Sequence, residues 1–266
     1  MDLELTDKTA LVLGGADGLG AAIARALYVE GASVLVADRN AERAASFARE
    51  LGDRAAATHC DVANKADIAA AITACSSQFA KLHILVHAVG LTLPDPIDRI
   101  DDTDIETTFD INMRSVVWAV QAAAAPMRQA GYGRVVLLGS GSGMKGSASL
   151  SLYTASKFFL RGLMQAAALE LGPAGITANM VCPTDVYPEG DRPAGSWNND
   201  KLVRISCEKE GVSDLAGVRE KRSARTPVRR SCTADDVANV VVFLASPRAG
   251  FINAQTIGLN GGLLPT

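Results

Sequence analysis

Short runs of β-branched and aliphatic residues alternate with longer alanine-rich stretches along most of this chain, and that alternation restricts the fold more than any other feature. Residues 9–13, 33–37, 84–86 and 134–138 are apolar at every or nearly every position, as strands are when helices cover both faces of their sheet. The stretches between and after them (19–30, 41–51, 65–79, 104–130 and 156–172) have helical composition. Strand and helix patterns in alternation predict βαβ units, and hence an α/β, doubly wound parallel sheet. A last helix is expected over 234–245 and a last strand over 255–259. The rhythm breaks between Thr184 and Thr226, a polar stretch containing Pro188, Pro193 and Gly195. We read it as a helical excursion from a single domain spanning 1–266, since sheets of this class fold as one unit up to roughly 250 residues.

Composition removes several alternatives. A formal net charge of -3 offers no attraction to a polyanion, so nucleic acid is not an expected partner. The first seven residues, Met1 to Asp7, are acidic where a secretory leader is basic, and no apolar run approaches the roughly 20 residues that span a bilayer. A cytoplasmic location without membrane contact is expected. The five cysteines (Cys60, Cys75, Cys182, Cys207 and Cys232) are scattered and form no C-x-x-C pair, and only three histidines are present, so reduced structural thiols are expected and no metal site.

The first predicted strand runs into Gly14-Gly15-Ala16-Asp17-Gly18-Leu19-Gly20, after which a helix begins. Glycines at 14, 18 and 20 let the backbone turn tightly and approach a pyrophosphate at the positive end of that helix, the arrangement of a Rossmann-type fold. Asp38 ends the second strand, near the spacing at which an acid accepts hydrogen bonds from an adenosine ribose. A carboxylate there favours NAD, because it repels the 2′-phosphate of NADP. Asp17 adds to that repulsion, whereas Arg39 is a cation able to hold a phosphate. The alternative role for Asp38 is to cap the helix that starts at Ala41.

Further along, Tyr153-Thr154-Ala155-Ser156-Lys157 sets a phenol and an ammonium four positions apart, on one face of a helix, with Ser140 thirteen residues upstream. With these residues the chain resembles the short-chain dehydrogenase/reductase family nearly from end to end. Tyr153 and Lys157 match the family's Tyr-x-x-x-Lys, Ser140 its active serine, and Asn112, in Phe109-Asp110-Ile111-Asn112, its helical asparagine. Gly14, Gly18 and Gly20 match its glycine-rich turn, Asp61-Val62 the Asp-Val after its third strand, and Asn260-Gly261-Gly262 its C-terminal segment. The resemblance implies an NAD-dependent oxidoreductase that interconverts a secondary alcohol and a ketone. It assigns catalysis to Asn112, Ser140, Tyr153 and Lys157. It assigns cofactor contacts to Gly14, Asp17, Gly18, Leu19, Gly20, Asp38, Arg39, Asp61, Val62, Ala88, Gly90, Tyr153, Lys157, Pro183 and Val186. The family also implies a homo-oligomer, a tetramer or dimer, to which the alanine-rich helices offer apolar faces.

These residue types suit that chemistry. An isolated tyrosine is a poor base at neutral pH, and a neighbouring ammonium together with a positive nicotinamide favours its phenolate. Ser140 is suited to stabilise charge on the substrate oxygen, and Lys157 to hold the nicotinamide ribose; the family gives Asn112 a water that links Lys157 to solvent. Two stretches depart from the family. His87-Ala88-Val89-Gly90 replaces Asn-Asn-Ala-Gly, and Pro183-Thr184-Asp185-Val186-Tyr187-Pro188 replaces Pro-Gly-x-Val-x-Thr. His87, alone at a strand end, reads as a packed or hydrogen-bonded core residue. Competing functions are a 3-oxoacyl-thioester ketoreductase, which commonly uses NADP, a non-catalytic dinucleotide sensor and a nucleotide-fold methyltransferase; the last two have no need of Tyr153 and Lys157. The excursion over 184–226 is the expected substrate lobe. Its arginine-rich part, with Arg219, Lys221, Arg222, Arg225, Arg229 and Arg230 opposed locally only by Glu220, reads either as a solvated face or, with Arg204, as a site for an anionic substrate.

Overall fold

A computed structural model describes residues 1–189 and 196–264; Pro193 and Gly195 of the excursion lie outside the described residues. The first half of the chain runs β1 (Thr9–Leu13), α1 (Gly18–Val29), β2 (Ser33–Asp38), α2 (Ala41–Leu51), β3 (Ala55–His59), α3 (Lys65–Phe79) and β4 (Ile84–His87). It continues with α4 (Asp102–Thr108), α5 (Ser115–Ala130), β5 (Gly133–Leu138), α6 (Ser151–Leu171) and β6 (Ile176–Pro183). The lobe holds α7 (Asp200–Glu210) and α8 (Leu215–Arg225), after which α9 (Ala234–Ala245) and β7 (Thr256–Leu259) return to the sheet. The strands form one seven-stranded sheet in the order β3-β2-β1-β4-β5-β6-β7, parallel at each pairing.

Alternate residues of each strand feed opposite layers. Leu11 and Leu13 of β1 join Ile68 of α3, Met127 of α5 and Leu160 of α6 in one core. Ala10 and Val12 join Ile23 and Leu27 of α1, Phe47 of α2 and Val241 of α9 in the other. This period of two explains why the strand sequences are apolar throughout: neither face meets water.

The order also creates a switch point. The chain moves outward from β1 through β2 to β3, then crosses to begin β4 on the other side of β1, so loops diverge above β1 and β4 and leave a crevice. Register brings the crevice residues together: Leu13 pairs with both Ala37 and His87. Backbone bonds continue the alignment, from Gly14 N to Ala37 O (2.8 Å) and from Ala88 N to Leu13 O (3.0 Å).

Two helices differ from the sequence expectation at positions that matter. The stretch 104–130 is not one α-helix: a π-helical turn, Phe109–Arg114, joins α4 to α5 and contains Asn112. Such turns place an extra residue in the helix and re-aim side chains there. The helix expected from 156 begins at Ser151, so Tyr153 lies in its first turn and shares a helical face with Lys157.

The lobe is built differently. Its apolar centre is small, with Tyr187, Cys207 and Val218 buried and Trp197 stacked on Tyr187 at 4.8 Å between ring centroids. All five cysteines are free, and burial pushes the Cys60 and Cys75 thiols up to about 12. Among the described residues no helix is long and apolar enough to cross a membrane.

Candidate active site

The glycine-rich turn leaves β1 and enters α1 with Gly14 at φ 74° and Gly18 at φ 55°, conformations that favour glycine. Gly20 is required for another reason: a Cβ there would lie 1.9 Å from the Gly14 carbonyl oxygen. Asp17 occupies the N-cap position of α1 but makes no side-chain cap, which leaves first-turn N–H groups available to an anion. Its carboxylate instead faces Arg43 Nε at 3.4 Å. Leu19 follows in the first turn, half-buried.

Asp38 does not cap α2. That cap is Asn40, whose side chain accepts from Arg43 N, while the Asp38 carboxylate accepts from Asn40 N at 3.0 Å and from Ala16 N at 3.2 Å. The second bond fixes Asp38 against the glycine-rich turn. Arg39 is exposed and lines a shallow depression with His59 and Asp61. Val62 is buried in one core and Val186 in the other, so their side chains contribute packing. Ala88 and Gly90 follow β4, and Pro183 ends β6, on the crevice side of the sheet. Free N–H groups at a helix start, a glycine bend without Cβ obstruction and a carboxylate beside it fit a dinucleotide with its pyrophosphate at α1.

Lys157 is the buried cation of the predicted catalytic set. It is 2% exposed, and its Nζ donates to Leu138 O at 2.9 Å. Among the described residues no carboxylate pairs with it. The ammonium lies 5.6 Å from the centroid of the Tyr153 ring, and a Cβ on Gly90 would come within 3.0 Å of Nζ. A buried ammonium with one backbone acceptor is costly for stability, which points to a role outside folding. Ser140 lies two residues after Leu138, and its Oγ accepts from Ser142 N at 3.2 Å. The loop it begins packs on Lys157, since a Cβ on Gly143 would sit 3.2 Å from Lys157 Cβ.

Asn112 is 1% exposed and ties three segments together. Its Oδ1 accepts from Leu91 N (2.7 Å), and its Nδ2 donates to Leu91 O (2.8 Å) and to Ser156 Oγ (3.1 Å). Ser156 Oγ in turn donates to Tyr153 O at 2.7 Å. Ser156, Leu138 and Leu91 act here through backbone atoms or a local hydroxyl, and no residue-type pattern marks them in the sequence. The loop after β4 then reaches the lobe, where Thr92 and Ser196 hydroxyls are 2.6 Å apart and Asn199 Nδ2 donates to Thr92 O at 2.9 Å.

His87 is a core residue, as its position suggests. Burial, and secondarily the Lys157 charge, lower its pKa to about 3. Its Nε2 lies 3.0 Å from Ser115 Oγ, and because that hydroxyl donates to Ile111 O at 2.6 Å, the neutral imidazole is the donor. In the second departure, Thr184 packs against Gly141, and Asp185 adopts φ 49°.

The arginine-rich stretch is not the open basic patch that its local sequence suggests. Arg222 pairs with Asp185 at 2.9 Å and with Glu210 at 3.0 Å, and Arg225 with Glu210 at 2.6 Å. Arg219 faces Glu189 at 3.6 Å, Arg230 pairs with Asp236, Arg229 donates to Ala224 O, and Lys221 donates to Glu210 O. Arg204 lies on an outer face of α7 with Asp200 and Glu208. Only Arg222 and Arg225 of this set line the cavity of about 530 Å³ that holds Ser140.

Comparison with known proteins places the chain in a family. Residues 8–199 match the family model described as short chain dehydrogenase, and residues 202–264 match the one described as enoyl-(acyl carrier protein) reductase. The chain is 35% identical over 264 residues to 4-formylbenzenesulfonate dehydrogenase of Comamonas testosteroni, covering 98% of this chain and 99% of that one. It is 34% identical to a diacetyl reductase of Staphylococcus aureus, covering 97% and 98%. The crystal structure of sorbitol-6-phosphate 2-dehydrogenase from Erwinia amylovora superposes with a TM-score of 0.87 at 28% identity, covering 97% of this chain and 100% of that one.

Proposed function

This chain belongs to the short-chain dehydrogenase family and is an oxidoreductase that interconverts a secondary alcohol and a ketone; we propose that its cofactor is NAD and that Tyr153 carries the proton. The observation that supports this reading best is the buried, carboxylate-free Lys157 ammonium beside the Tyr153 ring. NAD over NADP rests on Asp38, held by Ala16 N against the glycine-rich turn, where its charge opposes a 2′-phosphate. We read 1–266 as one domain, with 184–226 as the substrate lobe.

When bound, NAD would supply the hydride acceptor for the carbinol carbon. Tyr153 Oη takes the hydroxyl proton as the carbonyl forms, so that the alcohol loses one hydride and one proton and becomes the ketone. Lys157 places positive charge near that oxygen and holds the nicotinamide ribose, and Ser140 Oγ donates to the substrate oxygen. Asn112 keeps Leu91 and Ser156 in place around the Lys157 ammonium and supports the route by which the proton reaches solvent. Gly14, Gly18, Leu19 and Gly20 receive the pyrophosphate, and Asp38 the adenosine ribose. Asp61, Ala88, Gly90, Pro183 and the backbone at Val62 and Val186 line the crevice between them.

An anionic substrate is the finer reading, since relatives named for a benzenesulfonate and a sugar phosphate act on compounds bearing such groups. A screen of secondary alcohols and ketones monitored by NADH absorbance tests the reaction. We expect turnover with NAD, and Lys157→Ala should remove both turnover and much of the cofactor affinity. Turnover with NADP alone would refute the cofactor assignment.

A further inference from the structure

The cavity at Ser140 has an electrostatic bias that appears once the arginine pairs are accounted for. The loop 140–150 walls it on one side and α7 and α8 on the other, and Leu150, Leu202 and Ile205 give it apolar surface. Among the described residues four cations line it, Lys145, Lys209, Arg222 and Arg225, against two carboxylates, Asp185 and Glu210. Both carboxylates are engaged, Glu210 by two arginines and Asp185 by Arg222. Among the described residues the ion pairs of this region use Lys201, Arg219, Arg222 and Arg225, and neither Lys145 nor Lys209. Two exposed ammoniums from different elements thus line the cavity that contains Ser140, in a chain whose overall charge is negative.

We propose that Lys145 and Lys209 hold an oxyanion, carboxylate, sulfonate or phosphate, at the far end of a substrate whose carbinol lies at Ser140 and whose apolar body rests on Leu150, Leu202 and Ile205. The proposal rests on the oxidoreductase reading above. A concave site with low-dielectric walls focuses the field of its unpaired charges. Lysine supplies mobile point charges with no planar fork to satisfy, so the pair selects for negative charge more than for the shape of the acid. Arg222, fixed between two carboxylates, acts as a structural strut and not as the anion receptor.

The test uses the holoenzyme with NAD and two probes, 4-(1-hydroxyethyl)benzoate and its methyl ester. At low ionic strength kcat/KM for the acid should exceed that for the ester by about thirtyfold, with the ratio falling severalfold in about 0.5 M salt. Lys145→Gln and Lys209→Gln should each lower the acid-to-ester ratio about fivefold, chiefly through KM, and Lys209→Arg should preserve it. Equal efficiency for acid and ester at low salt, or a ratio unchanged in the double glutamine variant, overturns the proposal and leaves the oxidoreductase reading intact. If neither probe is turned over, calorimetry with 4-acetylbenzoate and its methyl ester on the enzyme–NAD complex decides separately. Tighter binding of the acid, lost in the double variant, keeps the lysine site while the reaction reading fails for these alcohols; equal binding overturns the site.

Discussion

The sheet body and the lobe between β6 and α9 bring their residues together by different means. In the body, β1 sends Leu11 and Leu13 into one core and Ala10 and Val12 into the other, so each strand is anchored on both faces. In the lobe three buried side chains and a carboxylate at Glu210 shared by two arginines do that work. Hydrophobic burial is nondirectional and is not screened by salt, whereas ion pairs are directional and screened. The body therefore suits groups that must stay fixed, such as Lys157 on Leu138 O, and the lobe suits a surface that adjusts to a substrate.

The largest effect expected is in the body. Tyr153→Phe should lower kcat by about a thousandfold while leaving the thermal transition and cofactor binding near wild type. Steady-state kinetics with a fluorescence titration of NADH checks this, and activity within tenfold of wild type would remove Tyr153 from its role. The contrast between regions is tested next by Glu210→Ala, which among the described residues leaves Arg222 with Asp185 and Arg225 with no carboxylate. The Arg222 arm is largely buried and keeps Asp185, and the Arg225 arm is exposed, so the loss costs about 1–3 kcal/mol, confined to the lobe. Limited proteolysis should then cut within α7 or α8 while the body keeps its cooperative unfolding; loss of both together would show that the two regions are one cooperative unit.

A smaller change is expected from Asp38→Ala, which should narrow the NAD-to-NADP ratio of kcat/KM about ten- to a hundredfold without altering lobe proteolysis. The remaining contrast is in the acid response. Burial, with the charges of Lys8 and Lys81, lowers His83 to about 4, and burial with Lys157 lowers His87 to about 3. Both are neutral in the fold and gain protons more readily when unfolded, so the stability they support is complete above about pH 6.5 and is lost as pH falls toward those values. For Glu210 burial raises the carboxyl, but hydrogen bonds and charge from Arg225 and Arg222 outweigh it and the net shift is downward from 4.5. Its contribution is lost only as pH falls below that range. Denaturant midpoints should therefore decline for the body between pH 6.5 and 4.5 while protease resistance of the lobe holds; simultaneous decline would contradict the assignment.

The same contrast governs what was legible in the sequence. Strand β1, the turn at Gly14 to Gly20 and the Tyr153–Lys157 pair are local patterns with fixed periods, and the structure places them as those periods require. Strand β3 is mostly alanine and owes its conformation to pairing with β2. The arginines from 219 to 230 are unopposed within their own stretch because their partners Asp185, Glu189, Glu210 and Asp236 lie outside it. Lys145 and Lys209 were missed for a similar reason, as they are 64 residues apart and only the packing of the loop 140–150 near α7 makes them neighbours of one cavity.

The π-helical turn at Phe109–Arg114 makes the long helical segment into a counting device. Removing one residue from it would restore ordinary α periodicity and leave the helix beyond it in phase, because the wide turn is what absorbs the extra residue. Val116, Ala119 and Ala123 of α5 would keep their places in the core, whereas Asn112, inside the turn, would be re-aimed and lose its grip on Leu91. A descendant that closed the turn would therefore keep the helix face and lose the site contact alone, so the extra residue is held by the asparagine's task and not by the core.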